Sequence, residues 1–230
     1  MKILAIDTSS DACSVALDIN NNYIESTVFE AKSHTQVLLP MINKLLDEAN
    51  IKMNEVDAIL LGIGPGSFIG MRIGASVAQG LAFAANIKII PISSMEAIAS
   101  DVMENYHLSR LVIYQDARMG ESYVGEFRLK SNGVIQTVSS IKLVPLIELN
   151  KLIANSKINS FGIGFIGHTE ITKKFSFNFC ANEKIGYPKA DILLKLNQDN
   201  NYMRSAIKPE ELRLDYIRKV VANKTNKCTP

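Results

Sequence analysis

The 230-residue chain has no tryptophan, which argues against an aromatic stacking surface for single-stranded nucleic acid. Its cysteines, Cys13, Cys180 and Cys228, are odd in number, far apart and without CxxC spacing. They read as free thiols in a reducing cytosol. Charge of one sign is also missing: 25 Lys and Arg stand against 23 Asp and Glu, a net +2. That balance gives no broad electrostatic reason to hold nucleic acid alone. No segment approaches the ~20 apolar residues of a membrane span. The N-terminus runs straight into a strand without a signal-peptide layout. The expectation is a cytoplasmic chain with no membrane partner.

What is present is ordinary for a soluble globular protein: 47% hydrophobic and 21% charged residues. The length suits one large or two small domains. The most informative run is Gly62-Ile63-Gly64-Pro65-Gly66-Ser67-Phe68-Ile69-Gly70-Met71-Arg72-Ile73-Gly74. Val56 to Leu61 before it reads as a buried strand, and Ala75 to Ala85 after it as a helix of small residues. Strand, glycine turn and helix start can aim backbone N–H groups at an anion. No Gly-Lys-Ser/Thr follows, so it is not a Walker loop. The glycine spacing is not that of a dinucleotide fingerprint. A tight turn with close helix packing is the other reading.

The remaining elements follow in order. Lys2 to Asp7 is an apolar strand ending in an acid, and Thr8-Ser9-Ser10-Asp11 is turn chemistry. Cys13 to Ile19 alternates, Asn20-Asn21-Asn22 is a hairpin turn, and Tyr23 to Glu30 is a third strand. Ser33 caps a helix to about Asn50, with Pro40 expected to kink it. After the glycine loop come a strand at Lys88 to Ile92 and a helix from Ser94 to Asn105. The order β-β-β-α-β-α-β-α is that of a ribonuclease-H-like core, shared by sugar kinases and actin-like ATPases. Two-metal nucleases on this fold need an acid at the end of the fourth strand. Asp7 is present, but Gly62-Ile63-Gly64 supplies no such acid.

A second half begins near Arg110. Leu111 to Phe127 can be laid without gaps on Lys2 to Asp18, with Asp116 over Asp7 and Val124 over Val15. It continues with a hairpin signal at Ser131-Asn132-Gly133, a helix from Pro145 to Asn155, a strand at Phe161 to Ile166 and a helix at Lys189 to Gln198. These are fewer elements than a full repeat needs. The expected architecture is therefore α/β with two lobes, each a mixed sheet flanked by helices, the second reduced. Residues 1–108 form the first lobe, 109–222 the second, and 223–230 a flexible tail.

These residues together resemble the TsaB family, also called YeaZ. The matching segments are Ile3 to Ser9, Ser33-His34 with Leu38 to Ile42, Gly64 to Gly74, Asp116 to Glu121, and Asp215-Tyr216-Ile217-Arg218. Ile69 stands where the family loop usually has threonine. The resemblance implies an actin-like ATPase fold and a role in placing threonylcarbamoyl on the adenosine beside the tRNA anticodon. It implies a non-catalytic subunit without cofactor or metal, partnered by the catalytic paralogue TsaD and the ATPase TsaE, and forming a homodimer when alone. tRNA would be met through the complex. The paralogue carries a His-x-x-x-His metal pair where this chain has Ser94 and Ile98. His34, His107 and His168 are scattered and read as capping or surface residues.

Two candidate sites remain. Asp7, Thr8, Ser9, Gly64, Gly66, Ser67 and Asp116 form a vestigial nucleotide site, or else turns capped by their own polar groups. Gly70, Gly74, Ala78 and Ala82 recur every fourth residue, and mid-helix glycine costs roughly 1 kcal/mol against alanine. Something must approach that stripe closely, either the chain's own core or a partner helix. The resemblance favours a partner, giving the interface Val37, Leu38, Met41, Leu45, Gly70, Gly74 and Ala78. The competing activities are a stand-alone ATP-dependent phosphotransferase of the same fold and a peptidase.

Overall fold

A strand buried on both faces reads in sequence as one apolar run, and β1 (Lys2–Asp7) is such a strand. Ile3 and Ala5 point into one core, Leu4 and Ile6 into another. The computed structural model describes residues 1–29, 33–155, 159–163, 178–179 and 186–218. β2 (Cys13–Ile19) pairs antiparallel with β1 and then with β3 (Asn22–Val28). Asn20 and Asn21 join β2 to β3 at φ 54° and 70°. Left-handed backbone at both positions suits a two-residue hairpin, and asparagine tolerates it. β4 (Ala58–Gly62) and β5 (Lys88–Ile92) add in parallel, giving the order β3-β2-β1-β4-β5.

Helices α1 (His34–Glu48) and α2 (Phe68–Ala85) cover one face of this sheet. Leu38, Met41, Ile42, Leu45 and Leu46 of α1 are buried. Burial of such side chains contributes about 1.5–3 kcal/mol each, enough to hold Pro40 inside the helix against its ~3 kcal/mol propensity cost. Ser33 occupies the N-cap position without a side-chain cap bond; its hydroxyl meets Thr35 Oγ1 at 2.8 Å instead. By length and composition α2 is apolar enough to cross a membrane, which corrects the expectation that no segment comes near. Here its Gly70, Gly74, Ala78 face packs inward on the first lobe.

α3 (Ser94–Asn105) lies in the core that joins the two sheets, and every residue from Ser94 to Met103 is buried. The second sheet holds β6 (Arg110–Asp116), β7 (Glu121–Leu129), β8 (Ile135–Thr137), β9 (Lys142–Pro145), β10 (Asn159–Ile163) and β11 (Asn178–Phe179). α4 (Leu146–Asn155) follows β9. The order β11-β10-β6-β7-β8, with β9 also on β7, repeats the first sheet place for place. The pairings match too, antiparallel for β6–β7–β8 and parallel for β6–β10–β11. Every strand position of the repeat is therefore filled, more than the sequence count suggested. The reduction lies in strand length, three residues in β8 and two in β11.

The gapless superposition of the halves is off by one after the turn. Asp7 faces Ser14, whereas Asp116 faces Ser122. The second turn is one residue shorter, so Ser122 corresponds to Ser14, and Tyr123 rather than Val124 to Val15. The lobe boundary also differs from a simple cut at residue 109. α5 (Ala190–Asn200) packs on β1, β2 and β4 of the first sheet, and its Ala190, Leu193, Leu194 and Leu196 share one core with Ile3, Ala5 and Leu60. The tail 223–230, His168, Cys180, Cys228 and the strand end at 164–166 lie outside the described residues.

Candidate functional site

Asp7 ends β1 beside Gly62, the last residue of β4. A Cβ at Gly62 would collide with the Asp7 carboxylate and come 2.8 Å from Ser94 Oγ. This is the physical reason that β4 ends in glycine. Asp7 Oδ1 accepts hydrogen bonds from the Ser9 N–H and hydroxyl, both 2.7 Å. Oδ2 accepts from the Ser94 hydroxyl at 2.7 Å. The Ser94 oxygen in turn accepts the Gly64 N–H at 3.0 Å, and the Ser94 N–H donates to the Gly64 carbonyl at 2.8 Å. Asp7 is completely buried. Burial pushes its carboxyl from the ordinary 3.8 up to about 6, against the pull of the Ser9 and Ser94 bonds and of His34. The neighbouring Cys13 thiol is pushed up to about 12, by burial first and the Asp7 charge second; it is a free, buried cysteine.

The glycine loop closes on the Asp7 turn. Ser67 N–H donates to the Ser9 carbonyl at 2.6 Å. Ser67 also caps α2, its hydroxyl accepting the Gly70 N–H at 3.2 Å. Thr8 Oγ1 donates to the Gly70 carbonyl at 2.8 Å. A side chain at Gly66 would strike the Ser9 carbonyl, and one at Gly70 the Thr8 carbonyl. The N–H groups of Gly64, Ser67 and Gly70 are thus spent inside the chain. The loop is a tight turn with close helix packing, and these amides do not form an anion cradle. Asp7, Thr8, Ser9, Gly64, Gly66 and Ser67 do converge, in one knot of internal bonds. His34, missed as a site residue, joins it: its Nε2 lies 3.0 Å from the Ser10 carbonyl oxygen and 3.3 Å from that of Ala12.

Asp116 ends β6 in the second lobe, and its Oδ1 accepts the Arg118 N–H at 2.8 Å. Asp7 makes the same contact with the residue two ahead, so the two turns are built alike. Arg118 pairs with Asp116 at 3.2 Å and approaches Asp11 of the first turn at 3.8 Å. Arg118 thus links the Asp116 turn to Asp11 of the first-lobe turn.

The expected partner interface needs correction. Leu38, Met41, Leu45, Gly70, Gly74 and Ala78 are buried in this chain, and Val37 is half-buried against the same core. A Cβ at Gly74 would run into the Thr8 hydroxyl. The close approach that the glycine stripe requires is made by the chain's own first turn. The outward face of α2 is different: Ile69 and Phe83 are 70% and 79% exposed, and nothing lies within 4 Å of a Cβ built at Gly80. Ile98 is a core residue. Among the described residues no three His, Cys, Asp or Glu side chains converge as metal ligands.

Comparisons with known proteins agree on one group. A family model described as TsaD, tRNA N6-adenosine threonylcarbamoyltransferase, matches residues 28–192. The tRNA threonylcarbamoyladenosine biosynthesis protein TsaB of Haemophilus influenzae is 34% identical, over 96% of this chain and 95% of its own. The TsaB of Bacillus subtilis is 32% identical over 73% and 71%. YeaZ from Pseudomonas aeruginosa superposes with a TM-score of 0.77 at 31% identity, covering 91% of this chain and 96% of that one. Another solved structure from that organism, described as similar to peptidase YeaZ, gives 0.80 at 30% identity over 94% and 99%.

Proposed function

The chain belongs to the TsaB family and has a role in tRNA threonylcarbamoyladenosine biosynthesis, and from that membership we propose that it serves as a non-catalytic scaffold docking on a TsaD-like catalytic paralogue. The observation that carries this reading is the Ser94 contact. Ser94 stands where the resemblance places the first metal-binding histidine of the paralogue. Its hydroxyl is committed to Asp7 and to Gly64, and Ile98, at the second histidine position, faces the core. Asp7 is enclosed, and the amides of Gly64, Ser67 and Gly70 are bonded within the chain.

The docking face is the outward side of α2. Ile69, Ser76, Gly80 and Phe83 are exposed and recur at helical spacing. Gly80 has no close neighbour inside the chain, so its helix cost of about 1 kcal/mol is not offset internally. A partner helix packed against it supplies the reason. The same face would pair two copies when the chain is alone. A TsaE-like ATPase completes the assembly in the cytoplasm, and tRNA is met through the complex, in keeping with a net charge of +2.

Gly80→Arg tests the docking. The variant should fold normally and bind the TsaD-like paralogue more than about tenfold more weakly, a loss of some 1.4 kcal/mol. A folded variant that binds normally rejects the face. In depleted cells threonylcarbamoyladenosine in tRNA should fall while the threonylcarbamoyl-adenylate precursor persists, and the pure chain should hydrolyse ATP no faster than a blank.

A further inference from the structure

After α5 the chain runs back across the first lobe and ends its described course on the second. Ile207 exchanges two backbone hydrogen bonds with Ile89, 3.0 and 2.9 Å, at the open edge of the first sheet. Gln79 Nε2 of α2 donates to the Pro209 carbonyl at 2.8 Å. Leu212 is buried in the α1–α2 core. The Asp215 N–H donates to the Ile63 carbonyl in the glycine loop at 3.0 Å. Tyr216 meets Phe68 with ring centroids 5.7 Å apart, and the Arg72 guanidinium lies 3.3 Å from the Phe68 centroid and 5.3 Å from that of Tyr216. The segment is thus fastened to the first lobe along its length.

Arg218 then crosses to the second lobe. Its Nη2 donates to the carbonyls of Ala117 and Arg118, 3.1 and 3.2 Å, and pairs with Glu121. The side chain is 13% exposed. The turn it holds is strained: Arg118, Met119 and Gly120 sit at φ 62°, 55° and 75°. Side chains at the first two positions disfavour left-handed backbone, and such turns persist where surrounding contacts over-determine them. The guanidinium fork is the contact that meets both carbonyls and the carboxylate together. The same turn brings the exposed Arg118 guanidinium to 3.8 Å from Asp11 of the first-lobe turn.

We propose that residues 206–218 are an interlobe latch, with Arg218 as the positioning residue that keeps the Ala117–Gly120 turn closed over the Asp7–Asp11 turn. Release of Arg218 lets the second-lobe turn relax and loosens the exposed 3.8 Å approach of Arg118 to Asp11. The first-lobe part of the segment stays in place, because its anchors do not involve Arg218.

Amide hydrogen exchange on the full chain tests this. In Arg218→Ala the amides of Ala117, Arg118 and Glu121 should exchange at least about tenfold faster, as expected for a local opening, while Ile89 and Ile207 keep their protection. Arg218→Lys should not restore the slow exchange, because an ammonium cannot span two carbonyls and a carboxylate. Glu121→Gln, which leaves the carbonyl bonds, should speed the turn by a smaller factor. Parent-like exchange at the turn in both Arg218→Ala and Glu121→Gln overturns the latch. So does a uniform loss of protection that includes Ile89, because the segment would then be a general support of the first lobe.

Discussion

Helix α2 contains three interior glycines whose surroundings differ, so one substitution should give three outcomes. Glycine-to-alanine in a helix interior is worth about 0.5–1 kcal/mol when nothing obstructs the new methyl. Gly80 meets that condition, with open space around its Cβ position. Gly80→Ala should therefore stabilise the chain by up to ~1 kcal/mol, or roughly 2–4 °C in a protein of this size. At Gly74 the methyl meets the Thr8 hydroxyl. That hydroxyl can rotate away, but it gives up its 2.8 Å bond to the Gly70 carbonyl, worth about 1 kcal/mol. The propensity gain and this loss nearly cancel. At Gly70 the methyl falls on the backbone carbonyl of Thr8, which is fixed by the β1 pairing beside it. Overpacking of about 1–3 kcal/mol outweighs the gain, so Gly70→Ala should be destabilised by about 1–2 kcal/mol. Urea unfolding of the three variants gives the ranking, and Thr8→Ala provides a cycle. It should relieve Gly74→Ala and leave Gly70→Ala unrelieved. A Gly70→Ala variant as stable as the parent, or a Gly80→Ala variant less stable, refutes the packing direction assigned to this helix.

Two further outcomes concern the Asp7 knot. Because burial raises the Asp7 carboxyl to about 6, the native state prefers the protonated acid. Its stability contribution is full below the ordinary 3.8 and is lost as pH rises towards 6, on the order of 3 kcal/mol at 1.36 kcal/mol per pH unit. Asp7→Asn should be at least as stable as the parent at pH 8, with its advantage disappearing below pH 4; a parent-minus-variant difference that is flat with pH in urea titrations rejects this. Ser94→Ala removes the donor to Asp7 and the acceptor for the Gly64 N–H. It should cost about 1–3 kcal/mol for the buried groups left unpaired, and an unchanged unfolding midpoint would show that the bonds are not made.

The first lobe was readable because its signals are local. Alternation, asparagine turns and helical spacing each lie within one element, and the strand order follows from the series of elements. The glycine stripe was readable as a stripe. Its direction was not, since fourfold spacing places Gly70, Gly74 and Ala78 on one face without saying what covers that face. Ser94 and Asp7 are 87 residues apart, and no local pattern announces their pairing. The one-residue difference between the two turns was hidden by a plausible gapless match, and the buried Ser14 and Ser122 pair emerged only from strand register. α5 has clear helical spacing, but apolar spacing does not name the sheet it will cover.

That last packing has a consequence for synthesis on the ribosome. Domains generally fold as units while the chain emerges, N-terminal ones first. Here the face of the first sheet formed by Ala5, Ala16 and Leu60 is covered by Leu193, Leu194 and Leu196, which emerge after the described strands of the second sheet. The nascent first lobe must wait, with an apolar face bare, until nearly the whole protein has been translated. Messages truncated before α5 would yield chains with complete strands and helices and an uncovered sheet. Such products are substrates for chaperones and proteases rather than half-active fragments.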